Sequence, residues 1–504
     1  MDKRVEAGEL HAAHTHVQPA LTEADIRDIL IGIVLAMFLG ALDQTIVATA
    51  MPTIGRELGD VAHLPWIVTS YLLASTAVTP LYGKLADIHG RRVTMLTAIV
   101  VFIIGSLACA MAPSLWLLVL ARFVQGLGGG GLISLAQTII ADMVPPKRRG
   151  KYQVYIAGVF VSSSLLGPVL GGVISEALHW SVIFWINLPI GLFAYYMTNS
   201  ALKRLPRHER PHKLDLLGAL LMTSATMTLL LALSWGGVRF AWASAPIFGL
   251  VGLSLLFWIG FALRLKMADE PLIPLDILAN PVVRAGTIAA GFGMGTFIGL
   301  TIYLPLYFET VAGLSAANSG MGLIPLSCGT VLGATASGRA MTRLTHYKRM
   351  PVVGLGVALI GTAMLVIYAG RMPLIPFVCV LAVISLGLGT LLPVATVSIQ
   401  NAVQMHQLGT ATATANFFRQ IGGALIVAIF GAIVLGGIGT SGAGLSAETL
   451  RAGTVDRETM VTLFQYVFSA TFAGFALALV FLLLMKEMPL RGSAIEAAKE
   501  AAGD

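Results

Sequence analysis

Apolar residues run along this chain in blocks separated by short polar loops. Each block is about 20 residues long, the length a helix needs to cross a hydrocarbon core. Backbone groups find no water partner in lipid, so every block is expected to be a helix. The pattern predicts fourteen spans. Eight fall at 28–50, 66–83, 94–112, 115–140, 152–174, 181–200, 215–235 and 244–265. Six follow at 284–308, 318–340, 351–369, 374–398, 410–436 and 462–485.

Composition agrees with the pattern. The chain has 504 residues, 56% of them hydrophobic and only 11% charged. A soluble protein carries about 25% Asp, Glu, Lys and Arg, so most of this surface faces lipid. The three cysteines, Cys109, Cys328 and Cys379, lie inside apolar blocks and offer neither a disulfide framework nor metal-ligand spacing. The first 26 residues lack an apolar core, which argues against a cleavable signal peptide. His11, His14 and His16 lie in that polar stretch and read as part of a disordered tail, so no metal site is expected.

Charge placement orients the spans. With the N-terminus inside, 25 of the 32 lysines and arginines fall on the cytoplasmic side. Arg56, Arg239, Arg371, Arg451 and Arg457 fall outside, and Arg122 and Arg419 lie within spans. This asymmetry is the positive-inside rule, and removing one span would spoil it. The net charge of +7 therefore reflects orientation in the membrane, and no nucleic-acid partner is expected.

The loop after the second span reads Gly83-Lys84-Leu85-Ala86-Asp87-Ile88-His89-Gly90-Arg91-Arg92. A worn echo, Gly338-Arg339 through Arg343 to Arg349, follows the tenth. It puts spans 9–14 in register with spans 1–6 and leaves 7 and 8 as an inserted pair. The expected organisation is a polar tail at 1–27, a six-helix half at 28–200, inserted helices with linkers at 201–283, a second half at 284–485 and a tail at 486–504. Repeated halves around a midplane site are the usual plan of secondary transporters.

At these residues the sequence resembles the major facilitator superfamily, and within it the fourteen-helix drug:proton antiporters of the EmrB/QacA type. Gly83 to Arg92 matches the family's signature loop, Leu42-Asp43-Gln44-Thr45-Ile46-Val47 with Pro52 its first-helix motif, and Arg122-Phe123-Val124-Gln125-Gly126 its fourth-helix motif. Gly167-Pro168-Val169-Leu170-Gly171-Gly172 matches the fifth-helix motif associated with antiporters. Asn187-Leu188-Pro189-Ile190-Gly191 and Asn416-Phe417-Phe418-Arg419-Gln420-Ile421-Gly422-Gly423 also fit. Ser181 after Trp180 departs from the family, which usually has an Arg there. The resemblance implies an all-α membrane protein with the major facilitator fold: about 14 transmembrane helices in two pseudo-symmetric six-helix halves plus two inserted helices. It implies a bacterial plasma (inner) membrane protein with both termini cytoplasmic.

Asp43 is the sharpest candidate for chemistry. A carboxylate at that depth must face a cavity or a partner, and an intramembrane charge reads as functional by default. It is either a proton-coupling site that competes with a cationic substrate or a structural ion pair. Arg122 stays charged at any accessible pH; the resemblance implies a role in proton coupling, the alternative being a clamp between helices, with Gln125 in the same polar network. Glu309, closing span 9, is a second protonatable candidate or a solvated interfacial residue. Arg419 either binds anionic groups of a substrate or holds Asn416 and Gln420 in a network. The signature loop (Gly83, Asp87, Gly90, Arg91, Arg92) reads as a gate: Asp87 can pair with Arg91 or Arg92, or cap a neighbouring helix. Gly167, Pro168, Gly171 and Gly172 suggest a kinked span packed tightly at the contact between halves. The glycines at 126 and 128–131 read as close helix packing, since no strand or Lys-Ser/Thr makes them a phosphate loop. An amphipathic substrate calls for an apolar, aromatic pocket, for which Phe38, Gln44, Trp66, Tyr71, Phe160, Phe292, Phe297, Tyr303 and Phe417 are candidates beside Gln125, Asn416 and Arg419.

The favoured function is proton-coupled export of small hydrophobic or cationic compounds, that is, multidrug efflux by alternating access. It uses no cofactor and is driven by the proton gradient. The alternative is a proton-coupled or facilitative transporter of a specific metabolite, lipid or siderophore. No Ser/His or metal-ligand cluster in the spans points to an enzyme. Expected partners are an amphipathic small molecule, membrane lipid and, through the outer loop at 437–461, a periplasmic adaptor protein.

Overall fold

A computed structural model describes residues 22–59, 63–204, 214–440 and 456–490. The tail histidines, the linker residues 205–213, most of the expected adaptor loop and the last residues lie outside them.

The first half contains α1 (Glu23–Leu58), α2 (Pro65–His89), α3 (Arg91–Ala110), α4 (Leu115–Met143), α5 (Pro146–Ala177), α6 (Val182–Trp185) and α7 (Asn187–Ala201). Next come α8 (Leu216–Trp235), α9 (Ala245–Met267) and the short α10 (Leu275–Ala279). The second half contains α11 (Pro281–Thr310), α12 (Ala316–Met321), α13 (Ile324–Arg343), α14 (Arg349–Tyr368), α15 (Leu374–Gly389), α16 (Leu391–Asn401), α17 (Leu408–Thr440) and α18 (Arg457–Leu484). Short polar side chains begin several of them. Asp215 caps α8, Asp456 caps α18, and Asn280 accepts from the backbone amides of Val282 and Val283 to cap α11.

Twelve of these helical stretches among the described residues are long and apolar enough to cross a membrane. The protein is a multi-pass membrane protein. The fourteen expected spans exceed that count at two places. The helix over the expected span 66–83 is too polar, with Ser70, Ser75, Thr76 and Thr79 buried within the protein. The expected span 181–200 is broken at Ile186 into four- and fifteen-residue helices.

Contacts repeat between the halves. In the first, α1 lies against α5 and α7, α2 and α3 against α4. In the second, α11 lies against α17 and α18, and α13 and α14 against α15. The halves meet where α2 crosses α17 and α5 crosses α13, and α8 pairs with α9 and lies against α2 and α17. Arg264 of α9 donates to Asp215 at the start of α8 over 3.0 Å, tying the inserted pair together.

Glycine sets several of these crossings. A Cβ at Gly128 would run into the backbone of Phe102, and one at Gly130 into the carbonyl of Ser75, so α4 wedges between α3 and α2 without side chains at those points. The crossing of α5 and α13 is a backbone contact of Gly150 with Gly338.

Candidate functional site

Asp43 and Arg122 form a buried ion pair, with side chains 0% and 1% exposed and Nη1 to Oδ2 at 2.5 Å. A paired charge buried at this depth needs further hydrogen bonds to offset its lost hydration, and neighbouring helices supply them. The carboxylate also accepts from Gln125 Nε2 at 2.8 Å and from Asn187 Nδ2 at 3.0 Å. Arg122 donates to Gln125 Oε1 at 2.6 Å and to the carbonyl of Ile67 at 3.2 Å, and its guanidinium lies 4.3 Å from the centre of the Tyr71 ring. Ser106 of α3 accepts from both amides, Gln125 at 2.8 Å and Asn187 at 3.4 Å. Gly105 makes this possible, because any side chain there would strike the backbone of Gln125.

The sequence reading gave Asp43 a cavity or an unnamed partner and put Gln125 in one polar network with Arg122; the pairing of Asp43 with Arg122, Ser106 and the role of Asn187 come from the structure. A serine in an apolar helix gives no signal of its own. The pair has a direct consequence for chemistry: Asp43 is committed to an arginine and is not a free anion lining a pocket.

A second polar cluster lies between the halves. A small pocket of about 10 Å³ is lined by Gln137 of α4, Gln400 of α16 and Thr412, Asn416 and Arg419 of α17. Asn416 donates to Gln137 Oε1 at 2.9 Å, and Gln400 donates to Thr412 at 3.3 Å and to the Gln137 carbonyl at 3.4 Å. Thr76 of α2 donates to Gln420 at 2.9 Å nearby. Gln137 and Gln400 were not foreseen, although an amide inside an apolar span is a signal that hydropathy discards.

The remaining candidates are scattered. Glu309 is exposed at the end of α11 and does not join Asp43. Gln44, beside Asp43 in sequence, is also exposed. Phe38 and Phe160 pack against the first half's core, as Phe292 and Phe297 do against the second's. Phe292 stacks on Phe481 with centroids 6.4 Å apart, and Tyr303 meets Phe430 edge-on at 6.3 Å. Trp66 packs edge-on against Trp235 of α8. Phe417, expected in the cavity, is fully buried on the other side of α17, against Trp258, Ala219 and Met222 of the inserted pair. It sits one residue from Asn416, and that 100° step turns it away.

The signature loop joins the halves at one end of the bundle. Asp87 accepts from the amides of Gly409 and Thr410 at 3.1 and 2.8 Å and from the Thr410 hydroxyl at 2.7 Å, capping α17. It accepts from Arg91 at 2.7 Å as well, so both expected roles, ion pair and cap, are filled at once. Arg91 also bridges to Asp142 at 2.6 Å, while Arg92 turns instead to Asn199. Gly83 allows the backbone of Gly409 to approach, and Gly90 turns the chain at φ 84°.

The fifth-helix glycines work differently from expectation. Gly167 and Gly171 receive Thr45 and Thr49 of α1, in the same half, and Thr45 donates to the Ser163 carbonyl at 2.8 Å. Gly172 faces open space and Pro168 is exposed. The motif packs α5 onto α1 and not onto the other half.

The family model for the Major Facilitator Superfamily matches residues 33–427. The chain belongs to the major facilitator superfamily. Among its relatives in the superfamily, multidrug transporter protein MdtP of Bacillus subtilis (strain 168) is 32% identical over 403 residues, 80% of this chain and 74% of that protein. Efflux pump dotC of Dothistroma septosporum is 33% identical over 403 residues, covering 79% and 69%. The fold is similar to that of the proton:xylose symporter XylE bound to 6-bromo-6-deoxy-D-glucose, at a TM-score of 0.61 and 16% identity over 95% of this chain and 100% of that one. Family and fold make this superfamily member a transporter and not an enzyme.

Proposed function

We propose that the protein exports small amphipathic compounds in exchange for protons, as a fourteen-helix antiporter of the EmrB/QacA type in a bacterial plasma membrane. The observation that carries this reading is the buried Asp43–Arg122 pair, in a transporter whose relatives bear efflux names. A proton that neutralises Asp43 removes the attraction holding Arg122, and the freed guanidinium must find new partners. The two protonation states of Asp43 therefore favour different packings of α1 against α4. A proton taken from an acidic exterior and released inside drives the cycle between them, with each charge crossing 100 mV supplying about 2.3 kcal/mol. Because Asp43 is held by Arg122, apolar contact and not salt-bridging to a cation supplies substrate affinity at this site. In proteoliposomes loaded with a pH dye, the wild type should move protons when a hydrophobic substrate is added, and Asp43→Asn should abolish that signal. Normal proton movement in Asp43→Asn would remove Asp43 from the coupling role.

The fourteen-helix reading makes its own prediction. At about 1.5 Å per residue, α2 and the α6–α7 segment are each long enough to span some 30 Å of hydrocarbon. Their polar side chains are buried against neighbours, so low apolarity does not bar them from the membrane. Single cysteines at His89 and Lys203 should then label from one side only, and cysteines at Glu57 and Leu178 from the other. Labelling of Glu57 and His89 from the same face would show that α2 does not cross.

A further inference from the structure

Arg419 lines the cavity between the halves and, among the described residues, makes no hydrogen bond or ion pair. It lies eleven residues into α17, about 17 Å along the helix and so near the middle of a membrane core. A guanidinium at that depth keeps its charge and is costly unless something neutralises it. Asp43 is held by Arg122, Asp87 and Asp142 are held by Arg91, and Glu309 lies at the exposed end of α11, nineteen residues beyond Ala290. Thr412, Asn416 and Arg419 recur at the four- and three-residue spacing that puts them on one stripe of α17. Their stripe faces Gln137 and Gln400, and the small side chains of Ala290 and Ala395 complete the lining of a pocket that in this state has room for about one water.

We propose that this cavity receives the anionic head of an amphiphile, a carboxylate, phosphate or sulfonate, on the planar fork of Arg419. The amides of Gln137, Gln400 and Asn416 flank that head. This rests on the export reading above and assigns its substrate class. Transported molecules carry an acidic head, and Arg419 supplies the counter-charge that Asp43, held by Arg122, cannot.

The test uses three naphthalene probes, 2-naphthoate, 2-naphthamide and 2-naphthylmethylammonium, and the full-length protein in phosphatidylcholine nanodiscs. Equilibrium dialysis should give 2-naphthoate an affinity about tenfold above the amide, the increment of a charge-assisted over a neutral contact. The cation should bind more weakly than either. Arg419→Gln should erase the preference for naphthoate, and Arg419→Lys should keep part of it. A thermal melt of each variant at the wild-type temperature separates this loss from misfolding. Adding phosphatidylglycerol identifies the source of the head: competition with naphthoate means a lipid, and unchanged binding means a soluble substrate. Equal binding of naphthoate and naphthamide, no naphthoate binding, or a preference that survives in Arg419→Gln overturns the proposal. Proton-driven export of 2-naphthamide with no preference for naphthoate would sink this inference and leave the export reading standing. Naphthoate binding that needs Arg419 but drives no proton movement would do the reverse.

Discussion

Arg122→Ala is expected to destabilise the protein by about 3–5 kcal/mol, and adding Asp43→Asn in the same chain should recover most of that loss. The asymmetry follows from where the pair lies. Removing the guanidinium leaves the Asp43 carboxylate fully buried, with only the amides of Gln125 and Asn187 to replace its hydration. A neutral asparagine at position 43 removes the uncompensated charge and can still bond to those amides. The recovery should be incomplete, because Arg122 also holds the Ile67 carbonyl and lies on the Tyr71 ring. Thermal unfolding in detergent at one fixed scan rate measures the series, since membrane proteins often unfold irreversibly. An Arg122→Ala protein that melts with the wild type would mean that the pair contributes nothing to stability. A double variant no better than the single would mean that the lost contacts of Arg122, not the stranded carboxylate, carry the cost.

Hydropathy made most of this architecture legible because lipid imposes one simple rule on sequence: long apolar runs become helices. The runs at 215–235, 244–265 and 374–398 became α8, α9 and the α15–α16 segment with ends shifted by only a few residues. Where polar groups are satisfied inside the protein, the rule weakens. Thr76 and Thr79 of α2 bond to Gln420 and to the carbonyls of Ser75 and Gly130, so a helix expected as a span falls short in apolarity of the twelve that qualify. The break between α6 and α7 adjoins Asn187, whose side chain reaches Asp43, 144 residues away. No local signal records such a distance. The site was half legible for the same reason. Buried charges such as Asp43, Arg122 and Arg419 stand out against apolar neighbours, whereas their partners are ordinary serines, threonines and amides. Facing was least legible: Asn416 lines the cavity while Phe417 packs on the inserted helices, and polar residues at 410, 412, 414 and 416 fall on more than one side of the helix, so the pattern does not tell the two faces apart.

Asp87→Ala is expected to open the end of the bundle that the signature loop holds shut. The carboxylate accepts three hydrogen bonds from Gly409 and Thr410 at the start of α17, and these exist only while α2 and α17 are packed together. Each charge-assisted bond contributes about 1.5–3 kcal/mol net, and the positive end of the α17 dipole adds to the attraction. Losing about 3 kcal/mol of that total shifts a two-state equilibrium by on the order of 100-fold. Asp87→Asn keeps an acceptor and gives up the charge, so its shift should be intermediate. Arg91 retains Asp142 in both variants, which leaves the fold of the first half intact and isolates the contact between halves. Spin labels at Lys147 and Arg339 report the closed end, and labels at Leu178 and Met321 report the opposite one, all at exposed positions. In a background without Cys109, Cys328 and Cys379, Asp87→Ala should lengthen the first distance and shorten the second. A first distance unchanged from wild type would show that the backbone contacts of Gly83 with Gly409 and Gly150 with Gly338 hold the end closed without the aspartate. Lengthening at both ends together would point to loosening of the whole bundle in place of a switch.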